Sequence, residues 1–213
     1  MTGVRSCRFR PGPAVNHRYR QAATHVALLV LAVLAMAAGT GTAWARPGMP
    51  AAPTEIVPGV LRIPAIGIDA PVAPVGTVLA AAPFLGGQSV STFGVPPDGS
   101  TVGWWSDGPM VGGPGMAILL GHTKVGGAAV FNRLGDLRPG DLVSVQGAPG
   151  AATLDFRITH VVSGIPKSNP EALQRVLSDN TGTSQLALIT CGGYFDQNVR
   201  ASEENIVAFA AGA

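Results

Sequence analysis

The chain has 213 residues, 46% of them hydrophobic and only 12% charged, with 29 Gly and 18 Pro. So many turn formers beside so few helix-favouring acids and lysines point to a β-rich domain. The net charge of +2 hides a division: Arg5, Arg8, Arg10, Arg18 and Arg20 precede residue 21 with no acid among them, whereas from residue 44 onward nine Lys/Arg face twelve Asp/Glu, a balance of −3. A mildly acidic domain argues against a nucleic-acid partner.

Residues 21–45 carry no Lys, Arg, Asp or Glu, and Val26–Ala38 is continuously apolar. A helix of about 20 residues spans a bilayer core, and the basic residues before this run orient the remainder outward. Ala43-Trp44-Ala45 also fits a signal-peptide cleavage pattern. The length of the apolar run favours a retained anchor, and either reading exports the domain. The expected organisation is a basic cytoplasmic tail (1–22), a single transmembrane signal anchor (23–43), a Pro/Ala-rich linker (44–59) and a folded domain (60–213). The protein is thus expected at the cell membrane, with that domain on the extracellular side. Roughly 150 residues suffice for one domain with a full core.

Along the domain, Val60–Pro64 and Ile66–Val72 read as short strands broken by prolines. Ala80–Ser100 reads mostly as loop, and Val102–Trp105 and Met116–Leu120 as strands, the latter running into Gly121-His122-Thr123. A helical turn is expected within Gly126–Leu134 and a strand at Leu142–Gln146. Leu154–Val162 alternates apolar and polar positions, the pattern of a half-buried strand. Asn169 and Pro170 form a capping signal for a helix over Pro170–Ser178. Strands at Leu186–Thr190 and Ile206–Phe209 complete a set that suggests a closed, mixed barrel with short helices.

Two cysteines are present, and the apolar segment separates Cys7 from Cys191, so they cannot pair within one molecule. Cys191 ends an apolar strand and precedes Gly192-Gly193. It is either an inert core residue or a nucleophile, and its place at a strand end favours the second. A thiol nucleophile needs a proton-transferring partner, and the exported part offers His122 and His160. His122 ends a strand as Cys191 does, whereas His160 lies within the alternating strand. Arg200 is a candidate donor to an oxyanion if its loop folds back. One cysteine and two scattered histidines show no metal-ligand spacing.

The blocks ILLGHT (Ile118–Thr123), AVFNRLGDLRPGD (Ala129–Asp141), ITCGGYFD (Ile189–Asp196) and NIVAFA (Asn205–Ala210) resemble those of a sortase. The TCGG-x-FD form is similar to class F sortases, and the resemblance covers about residues 60–211. It implies a mainly β fold, an eight-stranded sortase-type barrel, in a Gram-positive cell. It also implies a cysteine transpeptidase with Cys191 as nucleophile, His122 as general acid/base and Arg200 as stabiliser of oxyanion and substrate. Ser202 departs from the aromatic that relatives commonly carry two residues after that arginine. Thr190 and Thr123 would line the peptide groove, and the loop Ser163–Gln185 would set specificity. The implied partners are proteins with an LPxTG-like sorting signal, cleaved between Thr and Gly, and a cell-wall precursor amine. No cofactor or metal is expected. A peptidase that only hydrolyses, an L,D-transpeptidase and a non-catalytic barrel that binds a partner are the competing readings. The second lacks its SxGC-type block here.

Overall fold

The computed structural model describes residues 55–149 and 151–213. The expected tail, membrane anchor and most of the linker lie outside the described residues. Among the described residues no helix is long and apolar enough to cross a membrane.

In chain order the strands are β1 (Pro58–Ile63), β2 (Ile68–Val75), β3 (Thr77–Ala82), β4 (Gln88–Phe93), β5 (Val102–Trp105), β6 (Ala117–Leu120) and β7 (Leu142–Gly147). Then come β8 (Thr153–Pro166), the helix α1 (Pro170–Asn180), β9 (Leu186–Asp196) and β10 (Ala201–Gly212). Eight strands close into a barrel in the order β1-β2-β5-β6-β9-β10-β8-β7, as expected. Two of its seams, β2–β5 and β6–β9, are parallel. A parallel pair needs a long crossover. The second crossover runs from β6 through β7, β8 and α1 before returning as β9.

Alternation along β9 divides the core. Leu186 and Leu188 point into the barrel with Leu61, Ile63, Phe156 and Ile158. Ala187 and Ile189 point outward and pack with Met116, Ile118, Val207 and Phe209. That outer patch is covered by Ala172, Leu173, Val176 and Leu177 of α1. With both faces of β9 buried, its sequence reads as an unbroken apolar run. The helix starts where its capping signal lies: the Asn169 side chain accepts from the Glu171 backbone N–H at 3.1 Å, and Pro170 follows the cap.

Four local expectations change. Ala80–Ser100 is not mostly loop, because β3 and β4 form a separate antiparallel hairpin across it. That hairpin is pinned at its base, where Thr77 N–H donates to Asp107 Oδ2 at 2.6 Å and Trp105 Nε1 donates to Thr77 Oγ1 at 2.9 Å. Gly126–Leu134 forms turns leading into a 3-10 turn at Leu134–Asp136 rather than an α-helical turn. The supposed loop Ser163–Gln185 begins as the last residues of β8 and contains α1.

Most consequentially, β9 does not stop at Cys191 but continues to Asp196. The Gly192-Gly193 pair is therefore strand, not turn. Between the Phe195–Ser202 and Gly192–Glu204 pairs, β9 has one more residue than β10, a bulge. Gly193 lies in that bulge with a φ of 72°, a conformation glycine adopts without a Cβ penalty. At Gly192 a Cβ would stand 2.6 Å from Ile206 Cγ1.

Gly121 is buried just past the end of β6, and a Cβ there would lie 2.3 Å from the ring of fully buried Phe131. Gly121→Ala should therefore destabilise the domain by about 1–3 kcal/mol through overpacking. Urea unfolding of the two proteins measures this, and equal midpoints would mean that Phe131 moves aside freely.

Candidate active site

β6 and β9 run parallel with Leu120 paired to Ile189, so two residues further on His122 falls opposite Cys191. Gly121 N–H donates to Ile189 O at 3.0 Å, carrying the ladder past the end of β6. Alternation puts both side chains on the outer face of the barrel, continuing the rows Ile118–Leu120 and Ala187–Ile189. Two hydroxyls then lock the strand ends together. Thr190 Oγ1 donates to Gly121 O at 2.7 Å, buried, and Thr123 Oγ1 donates to Cys191 O at 3.3 Å. The two threonines expected in the peptide groove thus hold the backbone that carries His122 and Cys191.

His122 is half-buried, and its Nε2 lies 3.0 Å from Pro96 O. A carbonyl only accepts, so Nε2 carries the hydrogen and Nδ1 is left to exchange a proton. Its backbone O accepts from Phe131 N–H at 3.0 Å, tying the histidine to the core. His160 has a different role: it stacks on Phe209 with ring centroids 4.9 Å apart, and its Nδ1 lies 3.0 Å from Thr159 Oγ1.

An open cleft of about 630 Å³ lies beside His122, with Asp98, Ser100, Thr123, Lys124 and Ala129 on its walls; Cys191 is not among its lining residues. The turn at its rim is held by Asp98, whose Oδ1 accepts from the Ser100 hydroxyl and backbone N–H, both at 2.8 Å. Thr101 donates to the same carboxylate through its backbone and hydroxyl. The Ser100 and Thr101 bonds hold the Asp98 carboxyl down at about 2.

Cys191 is half-buried and unpaired. Its Sγ receives a hydrogen bond from Lys167 Nζ at 3.1 Å. Lys167 follows β8 directly, and its backbone N–H donates to Glu203 O at 2.9 Å across from β10. Its side chain therefore reaches over β10 to β9. Little in the sequence marks this lysine, which stands far from Cys191 in the chain and just past the end of a different strand. Its one signal was rarity, since Lys124 and Lys167 are the only lysines present.

Arg200 is placed otherwise than expected. It is exposed in the turn between β9 and β10, and Asp196 pairs with Ala201 beside it while Cys191 pairs with Asn205. Five residues of strand, the Gly193 bulge among them, separate Asp196 from Cys191. Arg200 is also the one non-glycine residue with positive φ, 53°, among the described residues. Among those residues no group of His, Cys, Asp and Glu could hold a metal ion.

Two outcomes test this geometry. Thr190→Val should cost about 1 kcal/mol of stability, the usual net worth of one hydrogen bond, and equal denaturation midpoints would remove its tie to Gly121. The Asp98 turn has a depressed folded pKa, so its contribution is present above the ordinary carboxylate range and is lost as pH falls through about 2. Carbon NMR of the Asp98 carboxyl should show a midpoint near that value, and one near 4 would mean that the turn's bonds are absent.

The sequence matches the Sortase domain family over residues 61–213. No curated protein matches it. Among solved structures it is similar to sortase E1 from Streptomyces coelicolor, solved with a tripeptide in the active site, at 18% identity and a TM-score of 0.52, covering 74% of this chain and 88% of that one. The SrtA sortase from Actinomyces oris matches at 18% identity and a TM-score of 0.52, covering 77% and 87%. For sortase A from Corynebacterium diphtheriae the figures are 15%, 0.47, 75% and 62%, so the chain spans less than two thirds of that protein. With a family match over more than half its length and the barrel to go with it, the chain belongs to the sortase family of cysteine transpeptidases.

Proposed function

We propose that this sortase is a membrane-tethered, extracellular transpeptidase that cleaves an LPxTG-like sorting signal between Thr and Gly and passes the new C-terminus to a cell-wall amine. The observation that carries this reading is the register of β6 and β9. It brings a histidine and a half-buried thiol to neighbouring positions on one outer face.

The Cys191 thiolate attacks the threonine carbonyl, forming an S–C bond and moving the carbonyl electron pair onto oxygen. Collapse breaks the C–N bond, and His122 gives a proton to the departing glycine amine. The incoming amine attacks the thioacyl carbon, loses a proton to His122 and expels the thiolate. The groove for the peptide is the outer apolar surface beside this pair. α1 stands on one side of it, and Phe93 and Trp105, packed edge to face at 5.1 Å, belong to the same apolar cluster. The class F likeness of TCGG-x-FD and the apolar N-terminal segment support a Gram-positive, single-pass enzyme, and neither metal nor cofactor has a part in these steps.

Incubating the protein with sorting peptides, with and without an amine, should give cleavage between Thr and Gly and an amide product by mass. Cys191→Ala should abolish both products. Full activity in that variant would end this assignment, and cleavage without amide in every mixture would make the protein a hydrolase.

A further inference from the structure

Attack by sulfur moves a full negative charge from Sγ to the carbonyl oxygen, and a donor already in place at that oxygen lowers the barrier. Arg200 sits at the far end of the β9–β10 hairpin. One cation does lie on the thiol: Lys167 Nζ is 3.1 Å from Cys191 Sγ. We propose that Lys167 is the catalytic cation of this site, pairing with the Cys191 thiolate before attack and with the oxyanion after it. This inference rests on the transpeptidase reading above.

Three observations carry it. Lys167 forms no salt bridge among the described residues, where the ion pairs are Arg62–Asp69, Arg133–Asp136 and Arg175–Glu171. With no carboxylate partner among those residues, the group that its Nζ meets is the Cys191 sulfur. The backbone of Lys167 is also fixed on both sides. Its N–H is held by Glu203 O, and Asn169 N–H donates to Pro166 O at 3.3 Å just before α1 begins. The ammonium is thus aimed by β10 and by the helix start, not by a free loop. Finally, the Cys191 backbone is fixed through Thr123 and Thr190, so both members of the pair are positioned in advance.

In the proposed sequence Lys167 keeps its three protons throughout. Attack forms the S–C bond, and the carbonyl pair becomes an alkoxide beside Nζ. Collapse restores the carbonyl, breaks the C–N bond and sends the amine out with the proton from His122. A compact ammonium moves from sulfur to oxygen by rotating its stem, which a guanidinium fixed at a distance cannot do.

The test compares Lys167→Met, which keeps the apolar stem, Lys167→Arg, which keeps the charge, and Arg200→Ala. Thermal unfolding first identifies which variants are folded. Alkylation of Cys191 by iodoacetamide at pH 7 needs no peptide and so reads the pair even if no sorting peptide is cleaved. Lys167→Met should slow alkylation several-fold, and Lys167→Arg should restore part of the rate. In peptide cleavage, Lys167→Met should lower kcat by roughly 10² with KM little changed, the loss expected for one oxyanion donor, and by more than Arg200→Ala does. A folded Lys167→Met that alkylates and turns over like the parent protein overturns the proposal. So does a loss confined to KM, or a large kcat loss in Arg200→Ala with none in Lys167→Met. Failure of the parent protein to cleave any peptide, with the alkylation effect intact, would instead strike the transpeptidase reading.

Discussion

The site depends on the parallel seam between β6 and β9. Four backbone pairs, Ala117–Leu186 through Leu120–Ile189, set the register. The Gly121 N–H to Ile189 O bond then carries it beyond the end of β6. A slip of one residue would turn either the His122 or the Cys191 side chain into the barrel. Because both faces of this seam are packed, no such slip is open to it without expelling core residues on one side or the other. The chemistry is thus indexed by the same contacts that close the barrel.

Gly121 shows how closely core and site are coupled. Its missing side chain is the space that Phe131 fills, and Phe131 in turn donates its backbone N–H to the carbonyl of His122. The histidine is held from below by the core, from the side by Pro96 O, and from across the seam by the Thr190 hydroxyl one residue away. Preorganisation here comes from short polar bonds laid over a tightly filled interior.

Much of this was legible in the sequence where local chemistry decides it. The apolar runs of β6 and β9, the alternation of β8 and the Asn169–Pro170 start of α1 all carry their own signals. The set of short strands suggests a closed barrel and the strand-end positions of His122 and Cys191 make them candidates, while the eight-strand count comes from the motif blocks in order, since no local pattern states which strands become neighbours. What failed to show were features set by tertiary register. The β3–β4 hairpin hides in a Gly- and Pro-rich stretch because its faces pack little core. The glycine pair after Cys191 looks like a turn, since nothing local reveals that β10 will pair with it and carry it as a bulged strand. Lys167 and Arg200 make the point together. The family resemblance points to the arginine, whereas strand order, with β10 between β8 and β9, delivers the lysine to the sulfur.

The exposed side of the barrel has a consequence for how such a protein can diversify. His122 and Cys191 stand outside a ring of strands whose interior is already filled and which leaves no open edge among its eight members. The elements beside them, α1 and the β3–β4 hairpin, lie outside that ring. The β3–β4 hairpin, which is largely exposed, can therefore change at small cost to the ring, whereas α1 is free to change only on the faces turned away from the outer core that Ala172, Leu173, Val176 and Leu177 cover.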